Sequence, residues 1–464
     1  MVDYLWSFDC GDTREDLTGL YNGTAVNGAV TISPDYSGQG KTLYLDRKQN
    51  QYIILPRSLN LTLNTSFTVT SWLLIAGYMT KTILSDCNSF NPICITFLIT
   101  ETTMNIDISN WDNATIIQTA FVSLQNYGCQ ACWMHVAFSF NHQTGSTIFY
   151  FNGMQIGEKY LNMTVATLSQ PNKAKATYIG LNAVTNAQPF YGLIDQLSVL
   201  YAVKNASVIL YEATTVCHYT FDREDINDGW GPNNIRARSQ HVYRLWSNNK
   251  SSLIFNDSDS YFQSTGFTLM DSNDYEYSIS FWLRLVIQKP EKANSAIAVL
   301  QLTSLIAGLS TDSYTCIMSM HVYEDNQTLG YFFPGFFKII DANNSFIGNN
   351  TWVHIGVAFE SPDTYLFYEN GKLIYKDTNQ RYGSIISGDP RFSVTIGGAY
   401  LDDSTPNKPV NFEQMKCFAR LPIFNYTKMY GEIDDFTFYS RKLNESEFST
   451  LAQSNDTKNL IEQL

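Results

Sequence analysis

Two carboxylates stand one residue apart near the C-terminal end of the chain, in the stretch KMYGEIDDFTFYS. They belong to Glu432 and Asp434. In glycosidases built on β-sandwiches, such a Glu-x-Asp often continues to a second glutamate. Retaining hydrolysis needs two carboxyl groups ~5–5.5 Å apart across the scissile bond. The motif therefore raises the question of whether this chain cleaves sugars or whether the stretch is only the last strand of a sheet.

The chain contains the same ordered series of short signatures twice. The first copy reads WSFD (6–9), TSWLL (70–74), CWMHVAFSF (132–140), IFYFNGMQI (148–156), TYIGL (177–181) and FYGLIDQLSVLY (190–201). The second reads YTFD (219–222), SFWLR (280–284), TWVHIGVAF (351–359), YLFYENGKLI (365–374), VTIGG (394–398) and MYGEIDDFTFYS (429–440). A constant order at a nearly constant offset indicates a duplication. Since 464 residues exceed what one core usually fills, we predict two domains, 1–216 and 217–464.

The repeated segments have the pattern of β-strands. In WMHVAFSF every second residue is apolar, and the second copy keeps this alternation. Both copies then place Asn-Gly between β-rich runs, which is the strongest short hairpin signal. Helical periodicity is confined to one short segment after the last strand of each copy, NASVILYEA and NESEFSTLAQ, where Asn444 or Ser446 would cap the second. We predict an all-β protein of two tandem antiparallel β-sandwiches of jelly-roll type, each followed by a short helix.

The order Phe-Asp, Ser-Trp or Phe-Trp, Trp-x-His, Tyr-x-Asn-Gly, Ile-Gly and Tyr-Gly-x-Ile-Asp resembles LamG-like jelly-roll domains of the concanavalin A-like lectin/glucanase superfamily. The resemblance covers nearly the whole chain, once per half. It implies the fold more than the function, because this superfold hosts lectins, glycosidases, pentraxins and adhesion modules. The pentraxin His-x-Cys-x-Ser/Thr-Trp signature is absent, since Gln130 and Asn349 stand where its cysteine belongs.

The duplication is an internal control on the Glu-x-Asp motif. Asp434 aligns with Asp195, but Glu432 aligns with Leu193. Phe436 and Thr437 occupy the place of a second glutamate. One carboxylate of the required pair is therefore missing, and we predict no enzymatic activity. His135 and His354 lie inside predicted strands, where roles in the core or on a strand face are favoured over a general base.

The repeated aspartates need a structural explanation. Simple alternation places Asp195 on one face with Leu197 and Val199, and Asp434 with Phe436 and Phe438. A carboxylate on an apolar face needs donors, either backbone N–H groups with His135 or His354, or a structural Ca²⁺. Calcium is common in LamG-like relatives, and acid-rich loops lie beside the first strand of each copy. No cofactor is required, and a structural Ca²⁺ stays an alternative, with the candidate ligands Asp9, Asp16, Asp195, Asp222, Asp228 and Asp434.

Eight cysteines are consistent with an oxidising compartment. A cut before Cys217 leaves odd numbers on both sides, so one bridge must cross the cut or one thiol stays free. We expect Cys10–Cys217, because the first and last elements of a jelly roll commonly lie side by side. That pairing leaves Cys316–Cys417 within the second domain, and it leaves Cys87, Cys94, Cys129 and Cys132 to pair within the first, where we favour Cys87–Cys94. The alternative is a bridge from Cys10 or Cys217 to a neighbouring protomer. Cys129 and Cys132 form a Cys-x-x-Cys without zinc-ligand partners at the usual spacing, so we interpret them as structural.

Asn-x-Ser/Thr sites extend along the whole chain, and their number favours a glycosylated extracellular protein. The chain start has no apolar segment preceded by positive charge, so we expect a mature chain or a segment of a longer one. The sites are Asn22, Asn60, Asn64, Asn113, Asn162, Asn205, Asn249, Asn256, Asn326, Asn343, Asn349, Asn425, Asn444 and Asn455.

A formal charge of -13 disfavours nucleic acid as a partner, and no apolar run is long enough to span a membrane. The leading hypothesis is an extracellular adhesion or recognition module for a glycan or protein ligand. The alternative is a structural protomer that assembles with copies of itself into a fibre, coat or matrix, and a glycoside hydrolase comes third. Aromatic residues that could stack on sugars, or equally pack in cores, are Trp111, Trp230, Trp246 and the run YFFPGFF (331–337).

Overall fold

The computed structural model divides the chain into two compact units, Met1–Ala213 and Thr214–Leu464. It describes residues 4–8, 16, 19, 21–33, 35–37, 40–77, 79–87, 93–110, 114–124, 132–162, 176–222, 225–226, 237–247, 250–257, 260–267, 276–287, 295–306, 315–323, 328–333, 336–340, 347, 350–360, 364–378, 390–397, 425–427 and 429–453.

The first unit consists of fifteen described strands and a C-terminal helix. The strands are β1 (Tyr4–Trp6), β2 (Thr24–Val26), β3 (Val30–Ile32), β4 (Thr42–Leu45), β5 (Tyr52–Ile54), β6 (Phe67–Ile75), β7 (Lys81–Cys87), β8 (Ile93–Ile99), β9 (Thr103–Asn110), β10 (Thr115–Ser123), β11 (Trp133–Asn141), β12 (Ser146–Phe151), β13 (Met154–Tyr160), β14 (Thr177–Ile179) and β15 (Gly192–Leu200). A 3₁₀ turn covers Arg47–Gln49, and helix α1 covers Ala206–Thr214.

These strands form two antiparallel sheets. One has the order β13-β12-β11-β6-β15-β4-β3, with β1 paired to β15. The other has the order β10-β9-β8-β7-β14-β5-β2. Helix α1 packs on the outside of the first of these, where its Ile209 meets Ala137 and Tyr150, and we call it the helix-side sheet.

The second unit repeats the plan. Its strands are β16 (Thr215–Tyr219), β17 (Arg238–Gln240), β18 (Val242–Ser247), β19 (Lys250–Phe255), β20 (Tyr261–Phe267), β21 (Tyr277–Leu285), β22 (Ser295–Ile306), β23 (Thr315–Tyr323), β24 (Thr328–Phe333), β25 (Phe336–Ile339), β26 (Trp352–Glu360), β27 (Thr364–Glu369), β28 (Lys372–Asp377), β29 (Pro390–Gly397), β30 (Asn425–Thr427) and β31 (Gly431–Tyr439), followed by helix α2 (Glu445–Gln453).

The helix-side sheet of the second unit has the order β18-β19-β31-β21-β26-β27-β28, with β16 paired to β31. The opposite sheet has the order β17-β20-β29-β22-β23-β24-β25, with β30 added in parallel to β22. Phe448 of α2 packs on Ala358, Leu366 and Tyr368 on the outside of the helix-side sheet. The predicted all-β class with two tandem antiparallel sandwiches, each followed by a short helix, is confirmed.

The space between the two sheets of each unit is filled by the inward-facing half of every strand. Val136 and Phe138 of β11, with Ile194 of β15, lie in the core of the first unit. Val357 of β26 and Ile433 of β31 lie in that of the second. Burial of such alternating apolar side chains is the main force that holds the two sheets together.

The first unit ends three residues earlier than the predicted boundary at residue 216. Helix α1 ends at Thr214, and β16 then joins β31, with Thr215 opposite Tyr439 and Cys217 opposite Phe438. Residues 215 and 216 thus belong to the sheet of the second unit, because a strand is placed by its ladder partners and not by where the sequence repeat begins.

Candidate functional site

Glu432, the first residue of the Glu-x-Asp motif, lies on the outer face of the helix-side sheet of the second unit. Its neighbours Gly431 and Ile433 are buried, whereas Glu432 itself is partly exposed. Arg284 donates from its guanidinium to Oε1 of Glu432, and the Ser252 hydroxyl donates to Oε2 at 2.7 Å. Both carboxylate oxygens therefore have a partner from a neighbouring strand.

The first unit has leucines where the second has this ion pair. Glu432 stands opposite Arg284 in the ladder of β31 and β21. At the equivalent positions of β15 and β6, Leu193 stands opposite Leu74. Both members of the pair differ between the units, as expected if Glu432 is present for Arg284 and not for a second carboxylate. The signal was in the sequence, since Arg284 ends the signature SFWLR where Leu74 ends TSWLL.

The repeated aspartates support a β-bulge, and the predicted face for them is wrong. Oδ1 of Asp195 accepts from the backbone amide of Gln196 at 2.8 Å, and Oδ1 of Asp434 accepts from that of Asp435 at 2.8 Å. Gln196 and Asp435 have left-handed φ values of 45° and 50°. Each is the extra residue of the bulge in its strand, and from that residue onward the inward and outward faces of the strand are exchanged.

As a result, each aspartate faces outward while the residues beyond it face the core. Asp195 stands opposite Trp72, whereas Leu197 and Val199 are fully buried between the sheets. In the second unit Asp434 stands opposite Trp282, and Phe436 and Phe438 lie in the core. The bulge residue is invisible to a two-residue periodicity, which is why simple alternation assigned the wrong face.

Histidine, tryptophan and aspartate form the same cross-strand row in both units. His135 stands opposite Trp72, which stands opposite Asp195. His354, Trp282 and Asp434 repeat the row. Each imidazole lies edge-on to its tryptophan, with ring centroids 5.2 and 5.3 Å apart. The tryptophan thus separates each histidine from the aspartate that it was expected to bind.

The histidines are placed to pack and not to transfer protons. Burial lowers the pKa of His135 to about 3 and that of His354 to about 4. Burial also lowers the pKa of His321, on β23, to about 3. Groups that are neutral and enclosed at pH 7 make poor general bases, because proton transfer needs contact with the substrate and a pKa near the operating pH.

A buried carboxylate that the sequence analysis did not single out lies in the first unit. Asp86 accepts hydrogen bonds from the backbone amides of Leu59 and Leu61 at 2.9 and 2.7 Å, and from the hydroxyls of Ser58 and Thr177. Burial raises its pKa, and these donors oppose that rise. Asp86 fixes the segment that leads into β6, so it is a structural residue.

The described acidic candidates for calcium accept hydrogen bonds from the protein itself. Asp16 accepts from the backbone amides of Leu5 and Tyr21, and Asp222 accepts from that of Ser251. Among the residues that the structure describes, no group of three or more histidine, cysteine or acidic side chains could hold a metal ion. Asp9 and Asp228 lie outside the described residues.

The cysteines follow the prediction in one case and contradict it in another. Cys87 and Cys94 stand opposite each other in the ladder of β7 and β8 and form a disulfide, as predicted. Cys132 is also disulfide-bonded.

Cys217 is a buried free thiol, so the predicted Cys10–Cys217 bridge is wrong. Its position in β16 directs it into the core, and burial raises its pKa far above the ordinary value. Cys10, Cys129 and Cys417 lie outside the described residues, and the side chain of Cys316 is not described.

The described sequon asparagines are mostly exposed. Two of them cap helices. Asn205 accepts from the amide of Ser207 at 3.2 Å, and Asn444 accepts from that of Glu447 at 3.0 Å. Glu447 in return accepts from the Asn444 amide at 2.9 Å, which completes a capping box. The exposed sites are Asn22, Asn64, Asn162, Asn205, Asn256 and Asn444, and Asn60 is partly buried. Asn425 lies in β30, and Asn113, Asn249, Asn326, Asn343, Asn349 and Asn455 lie outside the described residues.

Of the aromatic residues singled out for sugar stacking, one is exposed in the described part of the chain. Trp246 on β18 is 54% exposed, with the Arg244 guanidinium 4.5 Å from its ring centroid. Tyr331 of the YFFPGFF run is buried and stacks on Phe367. Trp111 and Trp230 lie outside the described residues. Trp352 and Tyr243, which the sequence analysis did not select as sugar contacts, are exposed on the helix-side sheet.

Residues 47–209 match the family model Laminin_G_3, of the concanavalin A-like lectin/glucanases superfamily. The matched residues lie within the first unit. The second unit has the same sheet order and the same bulge, so the sandwich of the first unit occurs twice in the chain. No curated protein sequence matches the chain.

Several solved structures are similar to the concanavalin A-like units. The binding domain of Paraclostridial Mosquitocidal Protein 1 is 13% identical over 87% of this chain and 98% of its own, with a TM-score of 0.37. Domain 4 of AbnA, a GH43 extracellular arabinanase from Geobacillus stearothermophilus in complex with arabinotriose, is 18% identical over 45% of this chain and 96% of its own, with a TM-score of 0.34. A structure of botulinum neurotoxin type C is 15% identical over 52% of this chain and 51% of its own, with a TM-score of 0.34. Cell entry of that toxin depends on interaction with two ganglioside molecules.

No helix in the described ranges has the length and apolar character needed to cross a membrane.

Proposed function

We propose that this chain is a non-catalytic extracellular recognition protein, which binds a glycan or protein ligand through outer surfaces of its two sandwiches. The observation that carries the proposal is the ion pair between Glu432 and Arg284. The one glutamate placed as in a sugar-cleaving motif is bound to a cation and a hydroxyl. It has no second carboxylate at the position where the motif would supply one.

Other side chains that could act as acids or bases in catalysis are also buried or hydrogen-bonded within the protein. His135 and His354 are enclosed between tryptophan rings and neighbouring strands, and Asp86 is surrounded by donors. The helix-side sheet of the second unit does expose aromatic side chains, Tyr243 and Trp352 among them. Exposed aromatic residues of this kind are common where a protein contacts a partner.

Export of the protein is supported by two observations. The disulfide between Cys87 and Cys94 is stable in an oxidising compartment. The exposed sequons Asn205 and Asn444 use only Oδ1 in helix capping, which leaves Nδ2 for attachment of a glycan without loss of the cap. We include occupied sequons in the proposal.

A second candidate function, a protomer that assembles with its own copies, is favoured by one observation. Strand β10 is the edge of the sheet opposite α1, and it exposes Ile116, Ile117 and Phe121. An apolar edge strand can accept a strand from a neighbouring molecule. Light scattering and negative-stain electron microscopy of the secreted protein separate the two functions, since a recognition protein stays monodisperse and a protomer forms filaments or sheets.

The proposal is tested with the full chain secreted from a eukaryotic cell line and purified with its glycans. A fluorescent form of the protein is applied to a glycan array and to intact cells, before and after treatment of the cells with protease. Saturable binding to defined glycans, or to a protease-sensitive cell-surface component, is expected. Absence of saturable binding to both the array and the cells would contradict the proposal.

A further inference from the structure

Five residues, one from each of five neighbouring strands, stand in register across the outer face of the helix-side sheet of the second unit. Tyr243 on β18 is opposite Ile254 on β19, and Ile254 is opposite Glu432 on β31. Glu432 is opposite Arg284 on β21, which is opposite Trp352 on β26. Since neighbouring strands lie ~4.8 Å apart, the row is about 19 Å long. We call these five residues the outer row.

The outer row combines exposed rings with a polar centre. Tyr243 and Trp352, at its two ends, are 56% and 37% exposed. Between them lie the Glu432 carboxylate and the Arg284 guanidinium, which is 5.2 Å from the Trp352 ring centroid. Trp282, two residues before Arg284 on the same face, is also partly exposed. Aromatic platforms thus flank an acceptor and a donor on one open surface.

The same row in the first unit has a different chemistry. Val30, Tyr44, Leu193, Leu74 and Trp133 occupy the five equivalent positions, from β3 to β11. There the ion pair is absent, and the tryptophan of the adjacent row, Trp72, is covered by Tyr36, whose ring stacks on it at 4.6 Å. The fold therefore does not need an ion pair in this row or an exposed tryptophan at the place of Trp72. The Glu432–Arg284 pair and the partly exposed Trp282 of the second unit call for another explanation.

We propose that the outer row of the second unit is a binding site for a neutral oligosaccharide, an inference that rests on the proposed recognition function and adds its site and ligand class. A pyranose ring presents an apolar face that stacks on tyrosine or tryptophan, and hydroxyls that both donate and accept hydrogen bonds. Glu432 accepts from hydroxyls and Arg284 donates to them. The 19 Å length suits several linked sugars and not a single one.

The charge of the site favours a neutral ligand. Glu432 and Arg284 compensate each other within the row, and the chain as a whole has a formal charge of -13. A polyanionic glycan would be repelled by that charge, because long-range repulsion lowers the rate and affinity of its association. A neutral oligosaccharide is not repelled by this charge, and its hydroxyls can hydrogen-bond to both Glu432 and Arg284.

The test measures binding of cellotetraose, chitotetraose and poly-N-acetyllactosamine to the secreted full chain by saturation-transfer NMR and calorimetry, with a heparin tetrasaccharide as the polyanionic comparison. Trp352→Ala and Tyr243→Ala remove the two end rings. The matched controls are Trp246→Ala, an exposed tryptophan outside the outer row, and Tyr160→Ala, a 71% exposed tyrosine of the first unit. Glu432→Leu/Arg284→Leu installs the leucine pair of the first unit, so the fold is expected to tolerate it.

Saturable binding of at least one neutral oligosaccharide is expected. Each end-ring variant should weaken it about tenfold, and the double leucine variant should abolish it while circular dichroism and the unfolding midpoint stay close to those of the parent. The two control variants should bind as the parent does. Undiminished binding in the outer-row variants, preference for the heparin fragment, or no oligosaccharide binding overturns this inference. In each of these cases, saturable binding to other glycans or to a protein on cells still supports the proposed recognition function. If that binding is also absent, both the outer-row site and the recognition function are contradicted.

Discussion

The side chain of Asn152 holds the strand that carries His135. Oδ1 of Asn152 accepts from the backbone amide of His135 at 2.9 Å, and the amide of Asn152 donates back to the carbonyl of His135 at 2.8 Å. Asn370 and His354 make the same two bonds in the second unit, at 3.0 and 2.8 Å. The two most recognisable signatures of the repeat, Trp-x-His and Asn-Gly, are therefore the two partners of one structural contact.

Substitution of Asn370 should destabilise the second unit in two separable ways. Asn370→Ala loses the side-chain acceptor and also strains the left-handed φ of 50°, for a total of about 2 kcal/mol in the free energy of unfolding. Asn370→Gly accepts the backbone conformation and loses only the hydrogen bond, about 1 kcal/mol. Urea unfolding monitored by tryptophan fluorescence measures both. Equal effects of the two substitutions would show that φ at this position carries no cost.

The glycine after Asn370 lets the hairpin approach helix α2. A Cβ on Gly371 would lie 2.5 Å from Cα of Ser449, and the φ of this residue is 76°. Gly371→Ala should therefore cost about 3 kcal/mol or more, since backbone cannot move aside as a flexible side chain can. Gly77→Ala is the control, because Gly77 has a φ of 71° but its nearest neighbour would be 4.0 Å away. We expect it to cost about 1 kcal/mol, and thermal unfolding of both variants decides.

Cys217 should behave as an inert thiol of the core. Alkylation of the native protein is expected to leave it unmodified, because burial keeps the thiol protonated and out of reach. Alkylation after unfolding without reductant should label Cys217, while Cys87 and Cys94 stay protected by their disulfide. Peptide mass spectrometry reads all three positions. A Cys217 peptide recovered in a disulfide would contradict the structure.

Acid should destabilise the protein through its buried histidines. His354 has a folded pKa of about 4 against 6.5 when unfolded, so the unfolded chain binds more protons between these values. Stability is thus complete above pH 6.5 and falls as pH drops toward 4, by about 1.4 kcal/mol per pH unit for one histidine. His354→Gln should reduce the slope of unfolding free energy against pH by that amount. Equal slopes in the parent and the variant would show that His354 is not buried neutral.

Prediction from sequence succeeded where the pattern is local and repeated. The strand alternation of β11 and β26, the Asn-Gly turns and the Asn444 cap depend on a few neighbouring residues, and all have the predicted structure. It failed at Asp195 and Asp434, where a single bulge residue reverses the face. It failed at Cys217, because the choice between a bridge and a core position depends on a strand pairing that spacing does not reveal.

The candidate site was predicted only in part. The sequence comparison separated Glu432 from catalysis through its mismatch with Leu193, a comparison made along the chain. Its partner Arg284 and the ring of Trp352 come from two other strands, and their place beside Glu432 follows from register across the sheet. Register is fixed by bulges and turns together, so it is known only when the whole ladder is known.

Recognition without catalysis is tested most directly by one time course on the secreted protein. The full chain and Glu432→Gln are incubated with labelled β-glucan and xylan oligosaccharides, and with any oligosaccharide that the parent binds, and released products are measured by mass spectrometry over a day. We expect no product with either protein, since Glu432 is paired with Arg284 and the second carboxylate is missing. Product formation by the parent that disappears in Glu432→Gln would contradict it.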